Sequence, residues 1–146
     1  MKKNLFLLAI LAFVMVSCGN KTQTDNKPAT ETADVSVTNA QDASIINVYY
    51  FHGKQRCKTC LAIEDVAKNV IEANYKDNPK VKFVEVNIDE AKDQALVEKY
   101  EVTFSSLIIA KGDNHTDLTE QAFANAVNSP DVLVGLIKDE VTKNLN

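Results

Sequence analysis

Three short runs rich in β-branched and aromatic residues, "IINVYYF" (45–51), "VKFVEVNI" (81–88) and "SLIIA" (106–110), are kept apart by stretches whose apolar residues recur at every third or fourth position. That alternation constrains the fold more than any other feature of the chain. Nearly unbroken apolar runs of this length read as strands buried on both faces. Between the first two, Cys60, Ile63, Ala67, Val70 and Asn74 fall at helical spacing and Val66 and Ile71 widen the stripe, which predicts a helix from residue 56 or 57 to 75. Glu64 with Lys68 and Glu72 with Lys76 form i,i+4 pairs in the favourable order, and Asn78-Pro79 closes the helix. After the second run Asp89 is placed to cap a helix over 90–100. The third run leads through Gly112-Asp113-Asn114 into a polar strand over 115–121, an antiparallel hairpin. Pro130 opens a last helix with Val132, Leu133, Leu136, Ile137 and Val141 on one face. The expected order is β-α-β-α-β-β-α, an α/β domain with parallel pairing across right-handed crossovers and one antiparallel edge.

This domain is expected to occupy residues 44–146. Residues 1–17 read as a signal peptide: Lys2 and Lys3 give a positive start, and the apolar run over 5–16 is too short to span a bilayer as an ordinary helix. The run ends in "MVSCGN", which resembles the lipobox of bacterial lipoproteins, with Met15 in place of the usual Leu and Cys18 as the residue that would carry lipid, palmitate included. Residues 18–43 lack apolar periodicity and are rich in Thr, Asn, Asp, Gln and Ala, so they are expected to be a flexible tether, the alternative being a first strand around Val35 to Val37. The resulting expectation is a lipid-anchored protein of the bacterial cell envelope, facing the periplasm or the exterior.

Three cysteines are present. If Cys18 carries lipid, Cys57 and Cys60 remain as one pair in an exported chain, where disulfides persist. Cysteines at i and i+3 at a helix start can close a small ring, and unpaired N–H groups at a helix N-terminus favour a thiolate. A free cysteine titrates near about 8.5, and nearby cations lower that value. His52, Lys54, Arg56 and Lys58 crowd the pair, and no acidic residue lies between Ile45 and Ile63. Cys57 is therefore the expected nucleophile, with Cys60, on the apolar stripe, as the resolving partner.

A strand ending in "YYFHGKQRCKTC", then "VEVNIDEAKDQALVEKYEV", then a hairpin and a terminal helix resembles the thioredoxin-like family over roughly residues 45–145. The resemblance implies a four-stranded mixed sheet flanked by helices, with thiol–disulfide oxidoreductase chemistry at Cys57 and Cys60 and no cofactor. The chain departs from the Trp-Cys-Gly-Pro-Cys pattern usual in thioredoxins: Arg56 precedes the pair and Lys58-Thr59 fills it. The loop before Cys57 is about two residues longer. The buried Asp of that family aligns near Tyr49, leaving Glu64 as a candidate substitute against its simpler reading as a surface partner of Lys68. The family's cis-proline position falls at Ser106, beside Ser105, where a non-proline cis bond would cost about 3 kcal/mol and a trans peptide is expected.

Two other readings compete. His52, Cys57 and Cys60 could ligate zinc or cuprous copper, with His115 as a distant fourth ligand. Alternatively the disulfide is permanent and the domain is a non-catalytic interaction module, a reading that Ser106 favours. The net charge of −4 gives no electrostatic footprint for nucleic acid, and no glycine-rich phosphate loop is present. The expected partners are envelope protein thiols or disulfides and a redox partner, with the domain itself a monomer. Reduction, oxidation and isomerisation would all use the same pair.

Overall fold

A computed structural model describes residues 42–146; the expected signal peptide, Cys18, most of the tether and the alternative strand at Val35 to Val37 lie outside the described residues. The chain runs β1 (Ile46–His52), α1 (Lys58–Tyr75), β2 (Val81–Asn87), a 3₁₀ turn (Ala91–Asp93), α2 (Gln94–Lys99), β3 (Ser106–Lys111), β4 (Asn114–Asp117), α3 (Thr119–Asn125) and α4 (Pro130–Leu145). The sheet order is β2-β1-β3-β4. β1 pairs parallel with β2 and antiparallel with β3, which in turn pairs antiparallel with β4. This is the thioredoxin-like α/β fold with its four-stranded mixed sheet.

The central strand shows why the apolar run at 45–51 is continuous. Alternate side chains of a strand point to opposite faces, and both faces of β1 are covered. Ile46, Val48 and Tyr50 join Ile63, Ala67, Leu133, Ile137 and Val141 in one core, while Tyr49 and Phe51 join Val86, Ile108, Leu96 and Tyr100 in another. Burial is the first and largest reason that Tyr49 is pushed up to about 12, followed by its neighbour Tyr100.

α1 buries Cys60, Ile63, Ala67, Val70 and Ile71, as the spacing predicts apart from Asn74. Asn74 is exposed and its Nδ2 donates back to the Val70 carbonyl at 2.8 Å. α4 buries Leu133, Ile137 and Val141, an i,i+4,i+8 row, but leaves Val132 half exposed. Among the described residues no helix is long and apolar enough to cross a membrane.

Two elements differ from expectation. The helix expected over 90–100 is a 3₁₀ turn followed by only six α-helical residues. Asp89 does not cap it: its Oδ2 accepts the Lys54 backbone N–H at 2.8 Å. Asp93 Oδ2 instead turns back to the Asn87 N–H at 3.0 Å, and Glu101, at φ 52°, ends the segment. The polar strand expected over 115–121 stops at Asp117 and gives way to α3. Asp117 Oδ1 accepts the Thr119 N–H at 2.7 Å, and Thr119 Oγ1 accepts the Leu107 N–H at 3.0 Å. Thr119 thus ties β3 to α3 where a longer strand would have continued the ladder.

Glu140 on α4 joins that helix to β4. It accepts hydrogen bonds from Thr116 Oγ1 at 2.9 Å, Asn144 Nδ2 at 2.9 Å and Lys143 Nζ at 3.2 Å. Burial pushes this carboxyl up, but the hydrogen bonds and Lys143 outweigh it, so its value lies below the usual 4.5. A carboxylate lowered by folding adds stability above its unfolded value and loses it as pH falls through the folded one. Glu140→Gln is expected to cost about 1 kcal/mol at neutral pH. Urea denaturation should show that difference shrinking as pH falls below 4.5.

Candidate active site

β1 delivers the chain to the end of the sheet at His52, and residues 53–56 carry it over to α1. The Lys54 N–H bond to Asp89 pins this loop to the segment after β2. Cys57 is the N-cap of α1, in extended backbone at φ −84° and ψ 165°. It forms a disulfide with Cys60, their Cα atoms 4.9 Å apart. Cys57 Sγ also accepts the Cys60 backbone N–H at 3.0 Å, and the Leu61 N–H bonds to the Cys57 carbonyl at 3.0 Å. The sulfur thus takes the place of the Ser, Thr or Asp oxygen that ordinarily caps a helix. Cys57 is exposed whereas Cys60 is buried, so the two residues of the pair differ sharply in their access to solvent.

The basic loop is compensated, which the local sequence does not suggest. Arg56 Nη2 pairs with Glu64 Oε2, and Nη1 lies 3.8 Å from Glu85 Oε1. Glu64 therefore faces Arg56 across the first turns of α1, correcting the expected surface pair with Lys68. The Arg56 guanidinium also sits 5.5 Å from the centre of the Tyr50 ring. His52 is buried; Nδ1 lies 2.9 Å from the Gly53 carbonyl and Nε2 lies 2.8 Å from Glu85 Oε1. Both ring nitrogens thus face oxygen atoms. Lys54 and Lys58 remain as the exposed cations flanking Cys57.

Tyr50, rather than Tyr49, stands behind the pair. Its hydroxyl donates to the Cys60 carbonyl at 2.7 Å, and its ring stacks on His52 with centroids 5.9 Å apart. Tyr49 points to the other face, with Tyr100 at 5.4 Å. The register explains this: Tyr50 pairs with Glu85 and His52 with Asn87, so one face of β1 and β2 gathers Tyr50, His52 and Glu85 beside α1. Tyr50, Glu64 and Glu85 are the site residues that the sequence did not single out as acting together.

Ser106 opens β3 opposite Phe51, at the end of the sheet from which the chain leaves for Cys57. Ser105 and Ser106 are both buried, and Ser106 Oγ donates to the Phe104 carbonyl at 3.0 Å. Phe104 itself is 59% exposed. His115 lies elsewhere: it pairs with Ala110, whose partner in β1 is Asn47, and packs edge-on to Tyr100 at 5.2 Å. The distant fourth metal ligand is therefore at the opposite end of the sheet. Among the described residues no three His, Cys, Asp or Glu side chains gather in a way that could hold a metal ion.

Fold and site together define a thioredoxin-like domain carrying a CxxC disulfide at a helix N-terminus. No protein-family model matches the chain, and no curated protein matches it. Solved structures do. Trxlp from Edwardsiella tarda EIB202 is 17% identical, with 72% of this chain and 93% of that one covered and a TM-score of 0.47. A thioredoxin from Trypanosoma brucei brucei is 22% identical, with 68% and 77% covered and a TM-score of 0.40. A malarial protein is 22% identical, with 65% and 96% covered and a TM-score of 0.46. Likenesses at this level add no argument about chemistry, so both fold and site stand on this chain's own topology and geometry.

Proposed function

We propose that this protein is a thiol–disulfide oxidoreductase working through Cys57 and Cys60, held by lipid on Cys18 in a bacterial cell envelope. The observation that carries the chemistry is the unequal pair: an exposed Cys57 whose Sγ accepts an N–H at the start of α1, and a buried Cys60 one turn later. When the pair is reduced, that N–H and the helix N-terminus stabilise negative charge on Cys57.

In the reducing direction the Cys57 thiolate attacks one sulfur of a partner disulfide. A mixed disulfide forms and the partner's other sulfur leaves as a thiolate. Cys60 then gives up its proton and attacks Cys57 Sγ, which breaks the mixed disulfide, releases the partner's second thiolate and restores the Cys57–Cys60 bond. Two electrons pass from the pair to the partner, and oxidation of a partner dithiol runs the same steps in reverse.

Alkylation of the reduced chain tests the assignment of roles. Cys57 is expected to react with iodoacetamide at neutral pH, well ahead of Cys60; equal rates, or reaction of Cys57 only at alkaline pH, would count against it. The anchoring rests on the apolar run over 5–16 and on Ser17-Cys18-Gly19. Incorporation of labelled palmitate in a bacterial host should be lost on Cys18→Ala, and its persistence in that variant would contradict the anchoring.

A further inference from the structure

Phe104 is the most exposed large apolar side chain of the described residues, at 59%, and Phe123 on α3 is 37% exposed. Both line one open groove of about 510 Å³, together with Asp117, Thr119, Glu120 and Gln121. The groove's place in the fold follows from the pairing. Phe104 lies two residues before Ser106, which pairs with Phe51, and Asp117 pairs with Ile108. The Leu118 N–H then bonds the Leu107 carbonyl at 2.9 Å. The groove is thus at the end of the sheet where β1 leads toward Cys57.

Its composition is specific. Two phenyl rings offer apolar surface, two carboxylates are present, and no cation lines it. Asp117 Oδ1 is engaged by the Thr119 N–H, while Glu120 is exposed in the first turn of α3. Next to Cys57 in the chain the exposed charges are the opposite, Lys54 and Lys58. A partner segment that reaches both would therefore meet basic side chains beside Cys57 and an acidic, aromatic groove at the same end of the sheet. Charge complementarity of this kind governs encounter and selects register more than it adds raw affinity.

We propose that this groove docks an extended segment of the partner protein and selects segments in which an apolar side chain, seated between Phe104 and Phe123, is followed by Lys or Arg beside Asp117 and Glu120. The proposal rests on the exchange reading above and names the substrate class for that site.

The test uses the pre-reduced full chain and short peptides in which one cysteine is joined by a disulfide to thionitrobenzoate. Attack by Cys57 on the peptide sulfur releases coloured thionitrobenzoate, and Cys60 then releases the peptide thiol, so no further reductant enters. Peptides carry Leu-Lys, Leu-Glu, Ser-Lys or Ser-Glu on either side of the cysteine. Leu-Lys is expected to react roughly tenfold faster than Leu-Glu at low salt, the ratio shrinking as salt screens the charges. Because the reading is a ratio within one protein, overall losses of rate do not confuse it. Glu120→Gln should bring the Lys-to-Glu ratio toward one and Glu120→Lys should invert it, while Phe104→Ser should remove the preference for Leu over Ser. Equal rates for all four peptides, or an unchanged ratio in Glu120→Lys, would overturn the groove while leaving the exchange chemistry intact. Absence of thionitrobenzoate release from every peptide would overturn the exchange reading itself.

Discussion

Cys60→Ser is expected to stop exchange halfway, leaving Cys57 joined to its partner. Cys57 is exposed and Cys60 buried, so a partner disulfide reaches the first sulfur and not the second. Once the mixed disulfide forms, its resolution needs a sulfur within the ring that the CxxC geometry permits, and serine cannot supply one. The covalent complex should persist on non-reducing gels and disappear on reduction. Cys57→Ser should form no such complex and should lower exchange roughly a thousandfold or more, as loss of a nucleophile does in other enzymes. If Cys60→Ser accumulates no mixed disulfide in cells, the non-catalytic interaction module becomes the better reading.

Arg56→Ala should be the most costly polar substitution near the site. Arg56 and Glu64 are only 21% and 18% exposed, and the guanidinium also lies near Glu85 and over Tyr50. Removing it leaves the Glu64 carboxylate partly buried without that cation. Breaking a buried pair by deleting one partner costs about 3–5 kcal/mol; residual solvent access at both groups reduces the expectation here to about 2 kcal/mol. The double variant Arg56→Met, Glu64→Met should recover much of the loss, since no isolated charge remains. Lys68→Ala should stay within about 0.5 kcal/mol of the parent. Tyr50→Phe should lie between, at about 1 kcal/mol, because it removes only the hydrogen bond to the Cys60 carbonyl. Urea denaturation of the disulfide form measures all of these, and a loss in Lys68→Ala equal to that in Arg56→Ala would contradict the pairing.

What could be read in the sequence followed from period and burial. β1 and α1 stand out because Ile46 to Phe51 is covered on both faces and because Cys60, Ile63, Ala67 and Val70 share one buried face. The placement of Cys57 at the helix start followed from the same change of period. α3 was missed: Leu118, Ala122 and Ala126 recur four residues apart and all are buried, but the polar residues over 115–121 read as a strand. The brace around the cysteines was not legible. Glu85 reads as a charge near a strand end, and only the parallel register of β1 and β2 sets it beside Tyr50 and near Arg56. Local sequence around the pair contains only cations, whereas the compensating carboxylates arrive from β2 and from the second turn of α1. The same dependence on register separates His115 from His52, Cys57 and Cys60, because a residue opposite Ala110 cannot reach the other end of the sheet.

The most direct test of the central claim is equilibration of the full chain in glutathione buffers at neutral pH, followed by acid quenching and mass spectrometry of alkylated cysteines. The account predicts one reversible two-electron transition in which Cys57 and Cys60 gain and lose label together. A Cys57–Cys60 bond that stays intact in excess reduced glutathione and dithiothreitol under native conditions would contradict it and leave the pair a structural staple.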